Sequence, residues 1–331
     1  MLLVPSLAAQ AAGPSSILAW ALLLVFSLPL AITFGALGVR HPVAGGVSAY
    51  VREGFGENAS AVTGNAFMTA VLFGGPAVAL IGGYYVANLT GSGTGVAVAV
   101  ALAIMLTVNA ANALGLRISS GFQLGLAVAT IGVTSRTGSR VPLADLISVG
   151  FGLAGRDATA VLAVALTMGT MNVYTGSMAK LGASLAQAGA LPQWLGGGAD
   201  RTVPRRPLLA VLTLQLVLLG VLAAGAASAG TFVRATSACF ILVYVLALAS
   251  AVRITDGALR VCAAVALALI CAVGVFSSWY LAVPAAAALL TLGLRYTAAR
   301  HVQGLLSLRE EAGVRPSPVA LDGGDEAPLR P

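Results

Sequence analysis

The side chains that could do chemistry in this chain are few, and they stand inside long apolar runs: Asn65, Asn109, Asn112, Gln123, Asn172, Tyr174 and Gln215. Amides and a phenol in such surroundings work through hydrogen bonds, because a polar group buried without a partner is costly. Beside them stands a Gly-Gly-Pro break at Gly74, Gly75 and Pro76. These three could line a substrate cavity, although small residues and proline in membrane helices equally serve close packing or a tolerated kink. Asn172 could face a transport path or hydrogen-bond between helices. The candidate substrate-binding residues are therefore Gly74, Gly75, Pro76 and Asn172.

No acidic or basic residue falls near the centre of an apolar span, so the sequence offers no ionisable marker of a proton or ion pathway, and a coupling ion stays unassigned. The signatures GxSxG, HExxH and GxxxxGK[ST] are absent, as are paired Asp or His within the spans, which argues against an enzyme and against a bound cofactor. Cys239, Cys262 and Cys271 fall in apolar spans without CxxC spacing, and His41 and His301 are far apart in sequence, so no metal site is expected. The net charge of +7 comes from residues scattered singly between apolar spans rather than from a basic stripe, which speaks against nucleic acid.

The elements that must position these residues are membrane helices. Of the 331 residues 58% are hydrophobic and 9% charged, against about a quarter charged in soluble domains. Residues 1–39, 58–116 and 207–233 carry no charge, and each is long enough for one or two passes at roughly 20 residues each. Runs such as GVAVAVALAIMLTV (95–108) lack the period-two alternation of a membrane β-barrel. Apolar windows predict spans at 2–12, 15–38, 60–89, 94–114, 119–134, 155–176, 207–228, 232–252, 261–277 and 280–297. The expected fold is an all-α polytopic membrane protein, with roughly nine full transmembrane helices of roughly 20 residues plus a short N-terminal one. Residues 1–300 form the transmembrane domain, and residues 301–331, rich in charge, Pro and Gly, a disordered cytoplasmic tail.

Lys and Arg in short loops mark the cytoplasmic side. With the first span running outward, Arg40, Arg52, Arg117, Lys180, Arg201, Arg205, Arg206, Arg253 and Arg260 fall inside, which predicts both termini in the cytoplasm and a multi-pass inner-membrane location. Arg234 lies near the outer end of its span, where it can snorkel. Arg136, Arg140 and Arg156 break the pattern by falling outside. At a helix centre such a charge costs about 2.5–3.5 kcal/mol, so they belong at an interface or in water.

The loop HPVAGGVSAYVREGFG (41–56) resembles the signature loop of the amino acid–polyamine–organocation (APC) superfamily of permeases, and MNVYTGSMAKLGASLAQAGALPQWL (171–195) the end of that family's eighth helix and the segment after it. LLVPSLAAQAAGPSSILAWALLLVFSLPLAITFGALG (2–38), the Gly-Gly-Pro break and SAGTFVRATSACFILVYVLALAS (228–250) resemble its bacterial exporters of methionine and branched-chain amino acids. The resemblance covers most of residues 2–298. It implies a LeuT-like bundle of five plus five helices in inverted repeat, which holds a small neutral amino acid at the midplane between discontinuous helices and moves it by alternating access. Against that pattern the first helix is truncated and the sixth and seventh helices are missing, so the bundle is incomplete, with a seam near 134–141 that accounts for the misplaced arginines. The signature loop, with Arg40, Arg52 and Glu53, could gate the cytoplasmic side or simply anchor it. The implied function is secondary-active transport of methionine or branched-chain amino acids across the cell membrane. The alternative is a remnant without transport activity that serves as a membrane scaffold or partner subunit. The lipid bilayer is the expected surround; oligomeric state is left open.

Overall fold

A computed structural model describes residues 16–40, 46–115, 142–196 and 204–311. Among these residues every regular element is a helix: α1 (Ser16–Arg40), α2 (Val47–Phe55), α3 (Glu57–Leu89), α4 (Thr94–Ala113), α5 (Pro142–Gln187), α6 (Arg205–Ala223), α7 (Ala229–Ile254), α8 (Gly257–Val275) and α9 (Ala282–Glu311). Short 3-10 turns occupy Gln193–Gly196 and Ser278–Leu281. Within the described residues, 7 helices are long and apolar enough to cross a membrane: all of the above except α2 and α5. The protein is an all-α polytopic membrane bundle. The expected spans at 2–12 and 119–134, with Gln123, Arg136, Arg140 and His41, lie outside the described residues.

Two helices outrun their apolar windows. α5 has 46 residues, about 70 Å at 1.5 Å per residue. That exceeds a hydrocarbon core of about 30 Å, so part of α5 must stand outside it. Its sequence continues through VPLADLISVGFG (141–152) without a helix-breaking proline past Pro142 at the first turn, where proline is tolerated. α9 likewise runs through 301 to Glu311, ten residues beyond where the tail was expected to begin; residues 312–331 lie outside the described set.

α3 is the axis of the bundle and packs against α4, α5, α6, α7 and α9. Over half of its most apolar stretch (56%) is buried, against 11% in α1, which rests chiefly on α8 and turns Leu22, Leu24, Leu28 and Ile32 outward. A helix this apolar all round belongs at a core, whereas one packed on a single side meets lipid with the other. Close approach is made possible by small residues: a Cβ on Gly83 would overlap the Ala97 carbonyl of α4. There Ala77, Ala97, Ala101, Ile104, Met105 and Val108 build the main apolar core.

Local signals explain several boundaries. Gly56, at φ 82°, supplies the left-handed residue that turns α2 into α3. The Ser228 side chain accepts from the Thr231 N–H at 3.1 Å and caps the start of α7. Arg40, Arg52, Arg253 and Arg260 follow one end of the bundle. Leu37 of α1, Tyr50 of α2, Ala251 of α7 and Ala263 of α8 form a cluster there, close to Arg40, Arg52, Arg253 and Arg260 in the chain.

Candidate functional site

The arrangement of interest begins at the proline inside α3, which stays helical through it. Pro76 has no N–H, so the Leu72 carbonyl lacks its donor one turn on. The two carbonyls before it are reached from neighbouring helices: Thr236 Oγ1 of α7 donates to Ala70 O at 3.2 Å, and Gln215 Nε2 of α6 donates to Val71 O at 3.2 Å. Small residues favour both approaches, most tightly at Gly75. A Cβ on Gly75 would overlap Gln215 Nε2, and one on Gly74 would stand 3.2 Å from Thr236 Cγ2.

Around these contacts α3, α5, α6 and α7 enclose a cavity of about 210 Å³. Gly74, Gly75 and Val78 form its α3 wall, Thr170, Met171, Tyr174 and Thr175 its α5 wall, Gln215 its α6 wall, and Val233, Thr236, Ser237 and Phe240 its α7 wall. None of the lining residues carries a charge, and most of the surface is apolar. The size falls below the roughly 300–1,000 Å³ of pockets for drug-sized ligands, so the cavity suits a small solute. Toward the basic end an aromatic group closes it: Phe240 lies 5.7 Å from Phe67, 6.3 Å from Tyr174 and 6.0 Å from Tyr244, which in turn meets Phe34 at 5.6 Å.

Hydrogen-bond capacity inside the cavity is unevenly spent. Thr170 Oγ1 donates to Leu166 O at 2.9 Å and Ser237 Oγ to Val233 O at 2.9 Å, each within its own helix. Gln215 is 1% exposed, yet its Oε1 accepts no hydrogen bond among the described residues.

Gly74 and Gly75 thus line the cavity, and Pro76 is buried in α3 beside them. Asn172 is not among the lining residues. Its Oδ1 accepts from Asn112 Nδ2 of α4 at 2.7 Å, and Asn112 Nδ2 also donates to Val108 O at 2.9 Å. Asn65 Nδ2 donates to Thr291 Oγ1 of α9 at 3.0 Å, and Asn109 Nδ2 to Met105 O at 2.8 Å. Tyr174 and Gln215, recognisable in the sequence as interior polar residues, reach the cavity. Thr170, Thr236, Ser237 and Phe240 do not stand out in the sequence. Their one signal is helical spacing: Thr170 with Tyr174, and Thr236 with Phe240, four apart on one face.

The helix α2 is clamped onto the end of α7. Ser250 Oγ donates to Tyr50 O at 2.5 Å, Arg253 Nη1 donates to Gly54 O at 3.2 Å, and the Arg253 guanidinium lies 4.2 Å from the Phe55 ring centroid. Arg52 and Glu57 form an exposed ion pair at 3.6 Å. Burial pushes the Tyr50 phenol above its ordinary value, so it stays neutral. At the other end of α7, exposed Arg234 lies 5.8 Å from the Tyr280 ring centroid, and Tyr280 stacks on Trp279 at 4.3 Å.

Residues 1–135 match the family described as amino acid permease. Over 74 residues the chain is 43% identical to the L-methionine/branched-chain amino acid exporter YjeH of Escherichia coli (strain K12), a stretch that covers 22% of this chain and 18% of that protein. Over 90 residues it is 37% identical to the uncharacterized amino acid permease YecA of Bacillus subtilis (strain 168), covering 27% of this chain and 21% of that one. The matched stretches span about a fifth of either relative's length.

Proposed function

We propose, for a chain whose residues 1–135 belong to the amino acid permease family, that it moves small neutral amino acids, methionine or a branched-chain one, outward across the cell membrane by alternating access. The cavity bounded by α3, α5, α6 and α7 is the holding site, with Gly74 and Gly75 as its backbone wall and Pro76 buried beside them. Asn172 acts one layer away and keeps α5 registered against α4 through Asn112. The observation that carries this reading is the cavity itself: a neutral, largely apolar chamber beside the proline of α3, between helices of the bundle. Such chambers between helices of a bundle are where small ligands bind.

Apolar lining suits an aliphatic or thioether side chain, and the absence of charge among the lining residues disfavours basic and acidic amino acids. The aromatic group around Phe240 supplies the closure that alternating access requires on one side. Orientation follows from the basic end, which belongs in the cytoplasm by the positive-inside rule. The surrounding bilayer is that of the inner membrane, with both termini cytoplasmic. An incomplete LeuT-like pair of repeats is the architecture within which these helices would operate.

The test is efflux of labelled L-methionine and L-leucine from loaded cells that express the chain. Efflux above an empty-vector control is expected, and Ser237→Trp, which fills the cavity from an exposed position on α7, should bring it down to the control. Efflux equal to the control in the unmodified chain, with the protein present in the membrane, would remove transport and leave the scaffold or partner-subunit role.

A further inference from the structure

Four of the hydrogen-bonding side chains that line the cavity, Thr170, Thr236, Ser237 and Gln215, share a bias; Tyr174 and Thr175 line it as well. Thr170, Thr236 and Ser237 each spend their hydroxyl proton on a helix carbonyl, at 2.9, 3.2 and 2.9 Å. What each has left is an oxygen that can only accept. Gln215 is biased in the same direction. An amide can be flipped, but only the NH2 orientation satisfies the Val71 carbonyl at 3.2 Å, so the oxygen is the group left over. That oxygen is buried and unpartnered among the described residues, in a side chain that lines the cavity. A buried acceptor in this state favours any occupant that brings it a donor.

We infer that Gln215 is a specificity-determining residue of the cavity, whose side-chain carbonyl accepts an N–H from the primary amine head of a small aliphatic ligand. An ammonium group brings three donors and no acceptor, the complement of these four acceptors. Hydrogen bonds from a charged donor are also the stronger kind. The aliphatic body of the ligand would lie against Val78, Met171 and Val233. The assignment deepens the permease reading but does not depend on it, because the wall selects an amine whether or not a carboxylate accompanies it.

The experiment measures binding to the full chain in lipid nanodiscs, with three probes: L-leucine, 3-methylbutylamine (leucine without its carboxylate) and 4-methylpentanoate (leucine without its amine). The unmodified chain should bind the first two and not the third. Gln215→Met keeps the length and bulk of the side chain but removes both amide functions, and should weaken both amines at least tenfold. Gln215→Glu, protonated in this apolar site, can donate its O–H to the Val71 carbonyl and keep an acceptor, so amine binding should survive.

Thermal unfolding separates this from a structural role. If Gln215 serves the ligand, Gln215→Met should melt close to the unmodified chain while its amine affinity falls, because the lost hydrogen bond to Val71 is offset by removal of an unpaired buried acceptor. Leucine binding that is equal in the unmodified chain and Gln215→Met overturns the role of Gln215 and leaves the permease reading standing. Amine binding that depends on Gln215 without any leucine binding supports the inference and overturns the amino acid reading. Binding of neither amine, or a lower melting temperature in Gln215→Met with unchanged affinity, overturns the inference.

Discussion

The two glycine-bearing faces of α3 differ in what they meet. Toward α4 and α5, Gly82 and Gly83 let the Ala97 backbone, Ile104 and Thr167 close against the helix, and the space is filled by a continuous apolar core. Toward α6 and α7, Gly74 and Gly75 admit the ends of Gln215 and Thr236, and a cavity of about 210 Å³ is left beside them. The polar groups divide the same way. On the closed side Asn112 donates to Val108 and to Asn172; on the open side Gln215 makes one hydrogen bond to Val71 and keeps an idle carbonyl. The same residue types therefore serve packing on one face and leave binding capacity on the other, and the sharpest contrast is between Gly83, which meets a backbone carbonyl, and Gly75, which meets the end of a flexible side chain.

The largest effect that would test this contrast comes from Gly83→Leu. Its Cβ would overlap a backbone carbonyl, which cannot rotate away, so α3 and α4 must separate. A loss of about 3 kcal/mol is expected, at the upper end of overpacking costs, measurable as unfolding in mild detergent. A melting temperature like that of the unmodified chain would erase the closed face. Asn112→Leu comes next, since it removes the donor to Asn172 with a side chain of the same branching and heavy-atom count. It should cost about 1 kcal/mol. A double-mutant cycle with Asn172→Leu should give a coupling near 0.6 kcal/mol, the average for polar pairs between membrane helices. Zero coupling would place the Asn172 side chain in some other role, and the transport path would be the first to consider.

Much of this architecture is legible in the amino-acid sequence, for a simple reason. Apolar length is all a helix needs to sit in a bilayer, so α1, α3, α4, α6 and α8 follow from runs of apolar residues between Gly, Pro and charge. The ends of α5 and α9 do not, because continuation of a helix into water is decided by local propensity and docking rather than by hydropathy. The cavity is harder still. Gln215 and Val71 are 144 residues apart, and periodicity tells which residues share a face without telling which helix that face meets. Gly74 and Gly75 stand out in the sequence because Pro76 follows them. Thr236, Ser237 and Phe240 look like any other residues of an apolar span until α7 is laid against α3. Asn172 and Gln215 look equivalent as lone amides in apolar runs, and only their partners distinguish them.

The smallest effect expected is that of Gly74→Ala, and it tests the open face most finely. Alanine gains about 0.8–1 kcal/mol over glycine in a helix interior. Against that, the new methyl would stand 3.2 Å from Thr236 Cγ2 and 3.3 Å from its Oγ1. A threonine at the edge of a cavity has room to withdraw by a few tenths of an ångström, although its hydrogen bond to Ala70 would lengthen. These opposing changes leave the net stability change within about 1 kcal/mol in either direction. Leucine binding should change more than stability does, because the methyl and the displaced Thr236 both intrude on the cavity. A stability loss as large as that of Gly83→Leu would mean that Thr236 has nowhere to go, and the distinction between the two faces of α3 would fail at the position where it is most finely balanced.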